Sequence, residues 1–66
     1  GTPMSTHDLR DRNGNLLGRI NTLSDGRQEL RDSNGNLKGH YNPKSNETRD
    51  HNGNLVARGN MLSSLL

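Results

Sequence analysis

The chain has 66 residues and a formal charge of +2; only 24% of it is apolar, against a usual ~45–50% in a class that also counts Gly, and it has no Cys, Trp or Phe. This excludes disulfides and an aromatic core, and also a membrane-crossing helix, which needs ~20 mostly apolar residues in a row. The 9 basic and 7 acidic side chains are interspersed, so no basic arm stands out.

Residues 1–3, the "GTP" ahead of Met4, read as a cloning scar. Residues 4–66 read as a single β-hairpin-repeat domain. The first candidate strand, 6–11, runs into "RDRNGNLLG" from Arg10 to Gly18. The same phrase returns as "RDSNGNLKG" from Arg31 and as "RDHNGNLVA" from Arg49. The repeats cover about 9–20, 30–41 and 48–59, with Leu9, Leu30 and Thr48 at their heads. A repeat of this length is usually one supersecondary unit that cannot bury its face alone.

Asn-Gly between two candidate strands signals a hairpin. A two-residue type I′ loop would put both Asn and Gly at positive φ. A type I turn followed by a G1 bulge would use Asp11, Asn13 and Gly14, with only Gly in the left-handed region. The second reading is preferred, because Asp at the first turn position can accept a backbone N–H two residues on. It applies equally to Asp32, Asn34 and Gly35, and to Asp50, Asn52 and Gly53. The variable tip residues, Arg12, Ser33 and His51, fall where a type I turn accepts most side chains.

The Asp-x-Asn-x-Asn spacing also suggests calcium, but the EF-hand pattern needs Gly at its sixth position and a distant Glu. Here Gly comes fourth, so turn chemistry is the better account and no metal is expected. His7, His40 and His51 have neither helical i, i+4 spacing nor a Cys partner, which leaves zinc unsupported. No G-x-S-x-G, H-E-x-x-H or P-loop is present; no enzyme activity, cofactor or small-molecule ligand is expected.

The second strand is expected at 15–23, "SDGR" then turns the chain, and further strands fall at 27–32 and 36–41. "NPKSN" makes the next turn, and the last strands fall at 46–50 and 54–60. The fold class is therefore all-β, a meander of about six short strands built from three N-G hairpins. Strict alternation puts Leu16, Gly18 and Ile20 on one face, with Leu37, Gly39, Tyr41 and Leu55, Ala57, Gly59 as the matching sets. A Gly at the centre of each set marks a bend or close backbone approach. The apolar tail, 60–66, spaces Met61, Leu62, Leu65 and Leu66 as a short C-terminal helical turn would. The expected core is Leu9, Leu16, Ile20, Leu30, Leu37, Tyr41, Leu55, Met61, Leu62 and Leu65.

The chain from Asp8 to Leu66 resembles the small bacterial proteins described as 4-fold beta flowers. The likeness rests on the N-G-N-L repeats, on "YNPKSNETRD" from Tyr41 to Asp50, and on the closing "GNMLSSLL". It implies a chain of hairpins and brings no catalytic residues. A looser similarity is to the YD repeats of RHS-type toxin shells, although Arg precedes Asp here in every copy.

Without a large core, a chain this small is expected to self-associate. The expected role is a non-enzymatic structural or protein-interaction module. Its candidate surface comprises Arg12, Arg19, Lys38, His40, His51, Arg58, Leu62, Leu65 and Leu66. One alternative is a small nucleic-acid-binding β protein, with Arg10, Lys38, Arg49 and Arg58 on a shared face. Such binders also use stacking aromatics, and Tyr41 is the one aromatic side chain. Another alternative is a repeat fragment of a larger bacterial surface or toxin-associated protein. No segment resembles a signal peptide, which makes the cytoplasm the expected location, with no membrane partner.

Overall fold

The computed structural model describes residues 4–66; residues 1–3, read above as a cloning scar, lie outside the described part. Six antiparallel strands form one open sheet in chain order: β1 Ser5–Arg10, β2 Leu16–Thr22, β3 Gln28–Asp32, β4 Leu37–Asn42, β5 Glu47–Asp50 and β6 Leu55–Arg58. A single 3-10 helix, Leu62–Leu65, follows β6. The fold is the all-β meander that the N-G spacing suggests. The last strand stops at Arg58 because Gly59 takes a φ of +94° and turns the chain away.

Each N-G hairpin closes in the same way. The Asp11 N–H donates to Asn15 O at 3.0 Å, and the Gly14 N–H donates back to Asp11 O at 3.0 Å. Asp32 and Gly35 repeat this pair, as do Asp50 and Gly53. Gly14, Gly35 and Gly53 have φ of +86°, +90° and +86°. Asn46 is the one non-glycine at positive φ among the described residues, so Asn13, Asn34 and Asn52 do not adopt the type I′ conformation. The geometry is a type I turn with a left-handed Gly.

A second irregularity follows every N-G turn. Arg10 stands opposite Leu16, but Leu9 stands opposite Gly18, which leaves Leu17 as an extra residue. Lys38 and Val56 are the extra residues in the other two hairpins. These bulges correct the strict alternation expected above. Leu16 and Gly18 face consecutive residues of β1, so they do not share a face; Leu37 and Gly39, and Leu55 and Ala57, separate for the same reason.

The register puts Leu9, Gly18, Ile20, Leu30, Gly39, Tyr41, Thr48 and Ala57 on one face, here called inner. The 3-10 helix packs over its centre, against β3 and β4. Gly18 and Gly39 make room for it. A Cβ on Gly39 would lie 2.5 Å from Leu65 Cδ1 and 2.5 Å from Arg49 O. A Cβ on Gly18 would lie 2.9 Å from Leu66 Cδ2 and 2.5 Å from Arg31 O.

The core is small. Leu30 and Leu62 are 0% and 1% exposed, and Thr48 is 0%. Leu9, Leu16, Ile20, Leu37, Tyr41 and Leu65 are half-buried. Leu55 and Met61 were expected inside, but they are 46% and 48% exposed. The bulge in β6 sets Leu55 opposite Arg49 on the outer face of an edge strand, and Met61 lies on the link before the 3-10 helix.

Thr48 occupies the position that Leu9 and Leu30 hold in the other repeats. Its hydroxyl donates to Gly59 O at 2.6 Å and accepts the Met61 N–H at 3.0 Å. Asn60 donates from its side chain to Gln28 Oε1 at 2.7 Å and accepts the Leu62 N–H at 3.3 Å. This one polar replacement in the core therefore directs the chain from β6 onto the inner face.

Candidate functional site

The meander places the three N-G tips at one end of the sheet, two strands apart from one another. At ~4.8 Å per strand that makes an array with a spacing of roughly 10 Å. Within each tip nearly every repeated residue has an internal task. Asp11 accepts the Asn13 and Asn15 backbone N–H groups, both at 2.9 Å, and the Asn15 side-chain amide at 3.2 Å. Asp32 and Asp50 make the matching bonds. These donors stabilise the charged form, the Asn15 backbone N–H most of all at Asp11, and hold each carboxyl below its ordinary pKa.

The Arg ahead of each Asp also acts within the tip. Arg10 donates to Gly14 O, Arg31 to Gly35 O and Arg49 to Gly53 O, each at 2.9 Å. Sequence reasoning assigned these arginines no turn role. The signal was their presence in all three copies beside an already explained Asp. The tip side chains that point outward are those of Arg12, Ser33 and His51, together with Asn13, Asn34 and Asn52, all exposed.

The outer face carries most of the charge. Arg19 pairs with Asp8 at 3.1 Å, Arg31 with Glu29 at 3.3 Å, and Arg49 with Glu47 at 3.0 Å. Arg58 reaches Glu47 at 3.5 Å, and Lys38 approaches Asp32 at 3.8 Å. Asn21 bridges Thr6 and Glu29 through side-chain hydrogen bonds, and its amide is the main cause of the lowered Glu29 pKa. His40 stands between Glu29 and Arg49 in the strand register. A shallow groove of about 280 Å³ runs here, lined by Leu23, Arg27, Gln28, Glu29, Leu37 and His40.

The candidate surface residues therefore fall into separate groups. Arg12 and His51 occupy the two outermost N-G tips, roughly 20 Å apart by strand spacing. Arg19, His40 and Arg58 lie on the outer face, with Lys38 in a bulge beside them. Leu62 and Leu65 belong to the inner-face packing, and Leu66 lies over Gly18 while remaining 45% exposed. Among the described residues no group of three or more His, Cys, Asp or Glu is placed to hold a metal ion. Arg10 and Arg49 are engaged with glycine carbonyls and acids rather than forming a free basic stripe.

Two features of the sheet complete the candidate site. Among the described residues β1 and β6 are unpaired edges, and the β6 side exposes apolar side chains, Leu55 at 46% and Val56 at 43%. No described helix is long and apolar enough to cross a membrane. Comparison with protein-family models, curated protein sequences and solved structures found no match to this chain.

Proposed function

We propose that this protein is a non-enzymatic structural or protein-interaction module that acts by self-association. The observation that carries this reading is the open sheet: among the described residues, six strands end in two bare edges, and only Leu30 and Leu62 are buried apolar side chains. Unpaired edges are ready templates for another strand. The engagement of the acids adds support. Asp11, Asp32 and Asp50 are bound into turns, and Asp8, Asp25, Glu29 and Glu47 into ion pairs, which favours a scaffold over acid–base chemistry. Light scattering over a concentration series tests the reading. Mass should rise above that of one 7.3 kDa chain, and a constant monomer mass would overturn it.

A further inference from the structure

We propose that Asn13, Asn34 and Asn52 are deamidation sites gated by the fold: each turn that needs Asn-Gly also holds it unreactive, and Asn52 is the first to convert. This gating belongs to a single chain and does not rest on self-association.

The chemistry is general to asparagine. The backbone nitrogen of the next residue attacks the side-chain amide carbon. The amide leaves as ammonia, taking the proton of that nitrogen, and a cyclic succinimide results. Water then opens the ring at either carbonyl and leaves aspartate or isoaspartate. Gly in the next position favours the attack most, because it has no Cβ to obstruct the ring and its backbone turns freely. Of the asparagines in this chain only Asn13, Asn34 and Asn52 precede Gly. All three are exposed, so water reaches them.

The turn blocks the attack in two ways. Ring closure needs the Gly nitrogen swung to the Cβ side of Asn and stripped of its proton. A type I turn sets ψ of its third residue to about 0°, which aims that nitrogen toward Asn's own N–H instead. The proton is also engaged. Gly14, Gly35 and Gly53 donate their N–H to the carbonyls of Asp11, Asp32 and Asp50, each at 3.0 Å. Swinging the nitrogen round breaks that bond and pulls on the peptide that follows. Its N–H, from Asn15, Asn36 or Asn54, goes to the carboxylate of the same Asp at 2.9 Å, 2.9 Å and 3.0 Å. Reaction therefore waits for the tip to open, and local opening differs from place to place in a fold.

The three tips differ in what holds them shut. The Asn34 tip joins β3 and β4, which have strands on both outer sides and the 3-10 helix above them. The Asn13 tip joins strands of six and seven residues, one of them the β1 edge. The Asn52 tip joins strands of only four residues each, one of them the β6 edge. Its side-chain amide bond, from Asn54 to Asp50, is 3.5 Å against 3.2 Å at the other two. The order of conversion is therefore Asn52, then Asn13, then Asn34. Isoaspartate lengthens the main chain by one carbon where the Gly53 N–H has to reach Asp50 O, so the tip does not close again in its old form. Either product also removes one unit of the +2 formal charge.

The test is to age the whole chain in mildly alkaline buffer, folded and in guanidinium chloride, and to follow each site by mass spectrometry. Trypsin cuts after Lys and Arg, which puts the three sites on separate peptides, 13–19, 32–38 and 50–58. In denaturant the sites should convert at similar rates. In the folded chain the two bonds at each tip, each worth a factor of roughly 2–10, should slow conversion about tenfold or more. Asn52 should lead and Asn34 should trail. Asp50→Ala removes the carboxylate that accepts the Asn52 and Asn54 N–H groups. It should speed Asn52 several-fold in the folded chain and leave Asn13 and Asn34 unchanged. An unchanged Asn52 rate in folded Asp50→Ala overturns the role of the carboxylate. If that variant does not fold, the wild-type comparison still decides. Equal rates with and without denaturant overturn the gating. Uniform protection, or any site ahead of Asn52, overturns its place as the weakest tip.

Discussion

Replacing Thr48 by Val tests how the fold ends. The two side chains are close in shape, and Val suits a strand, so packing changes little. The hydroxyl is what disappears, and with it the bonds to Gly59 O at 2.6 Å and from Met61 N at 3.0 Å. Thr48 is fully buried. Each bond is worth ~1 kcal/mol, and a partner left dry and unpaired costs ~1–3 kcal/mol. The expected loss is about 2–4 kcal/mol if both peptide groups stay buried, and nearer 2 if the tail lifts and water enters. With a urea slope of ~1 kcal/mol/M, the midpoint should fall by about 2 M or more. Amide exchange at Met61 should quicken even where the sheet remains folded. Thr48→Leu, which restores the residue found at positions 9 and 30, should also destabilise, because Leu cannot make either bond. Wild-type stability in Thr48→Val would refute the anchoring role.

Gly39→Ala should cost about 1–3 kcal/mol, since its new Cβ would meet both Arg49 O and Leu65 Cδ1 at 2.5 Å; urea titration measures it. Gly35→Ala meets no neighbour but keeps a φ of +90°, so its loss should be near 1 kcal/mol and arise from the backbone alone. Arg31→Met should weaken the middle tip by about 0.5–1.5 kcal/mol through loss of the 2.9 Å bond to Gly35 O, read as faster amide exchange at Gly35. Asp11, Asp32 and Asp50 have lowered pKa values in the fold, so their contribution is present above the ordinary aspartate value of about 3.9 and is lost as pH falls through the folded values. Thermal melts should therefore drop in acid, and Asp32→Asn should flatten part of that dependence.

The strand order was legible because turn chemistry punctuates this chain more strongly than its sparse apolar pattern. The bulges were not. Their extra residues are Leu17, Lys38 and Val56, which share no side-chain property, so nothing local marks them. Without them Leu16 and Leu55 looked like inner-face residues. Gly18 and Gly39 correctly indicated a close approach, but the object approaching, the tail leucines, comes from about 26 or more residues downstream. Thr48 was visible as the one polar residue in a series of Leu. Its meaning depends on Gly59 and Met61 in three dimensions.

The central claim is that one hairpin rule, a type I turn with a left-handed Gly followed by a bulge, is used three times. Nuclear Overhauser contacts across the hairpins test it directly. The account predicts cross-strand pairs Leu9 with Gly18, Leu30 with Gly39, and Thr48 with Ala57. Pairing of Leu9 with Leu17, Leu30 with Lys38 and Thr48 with Val56 would contradict it.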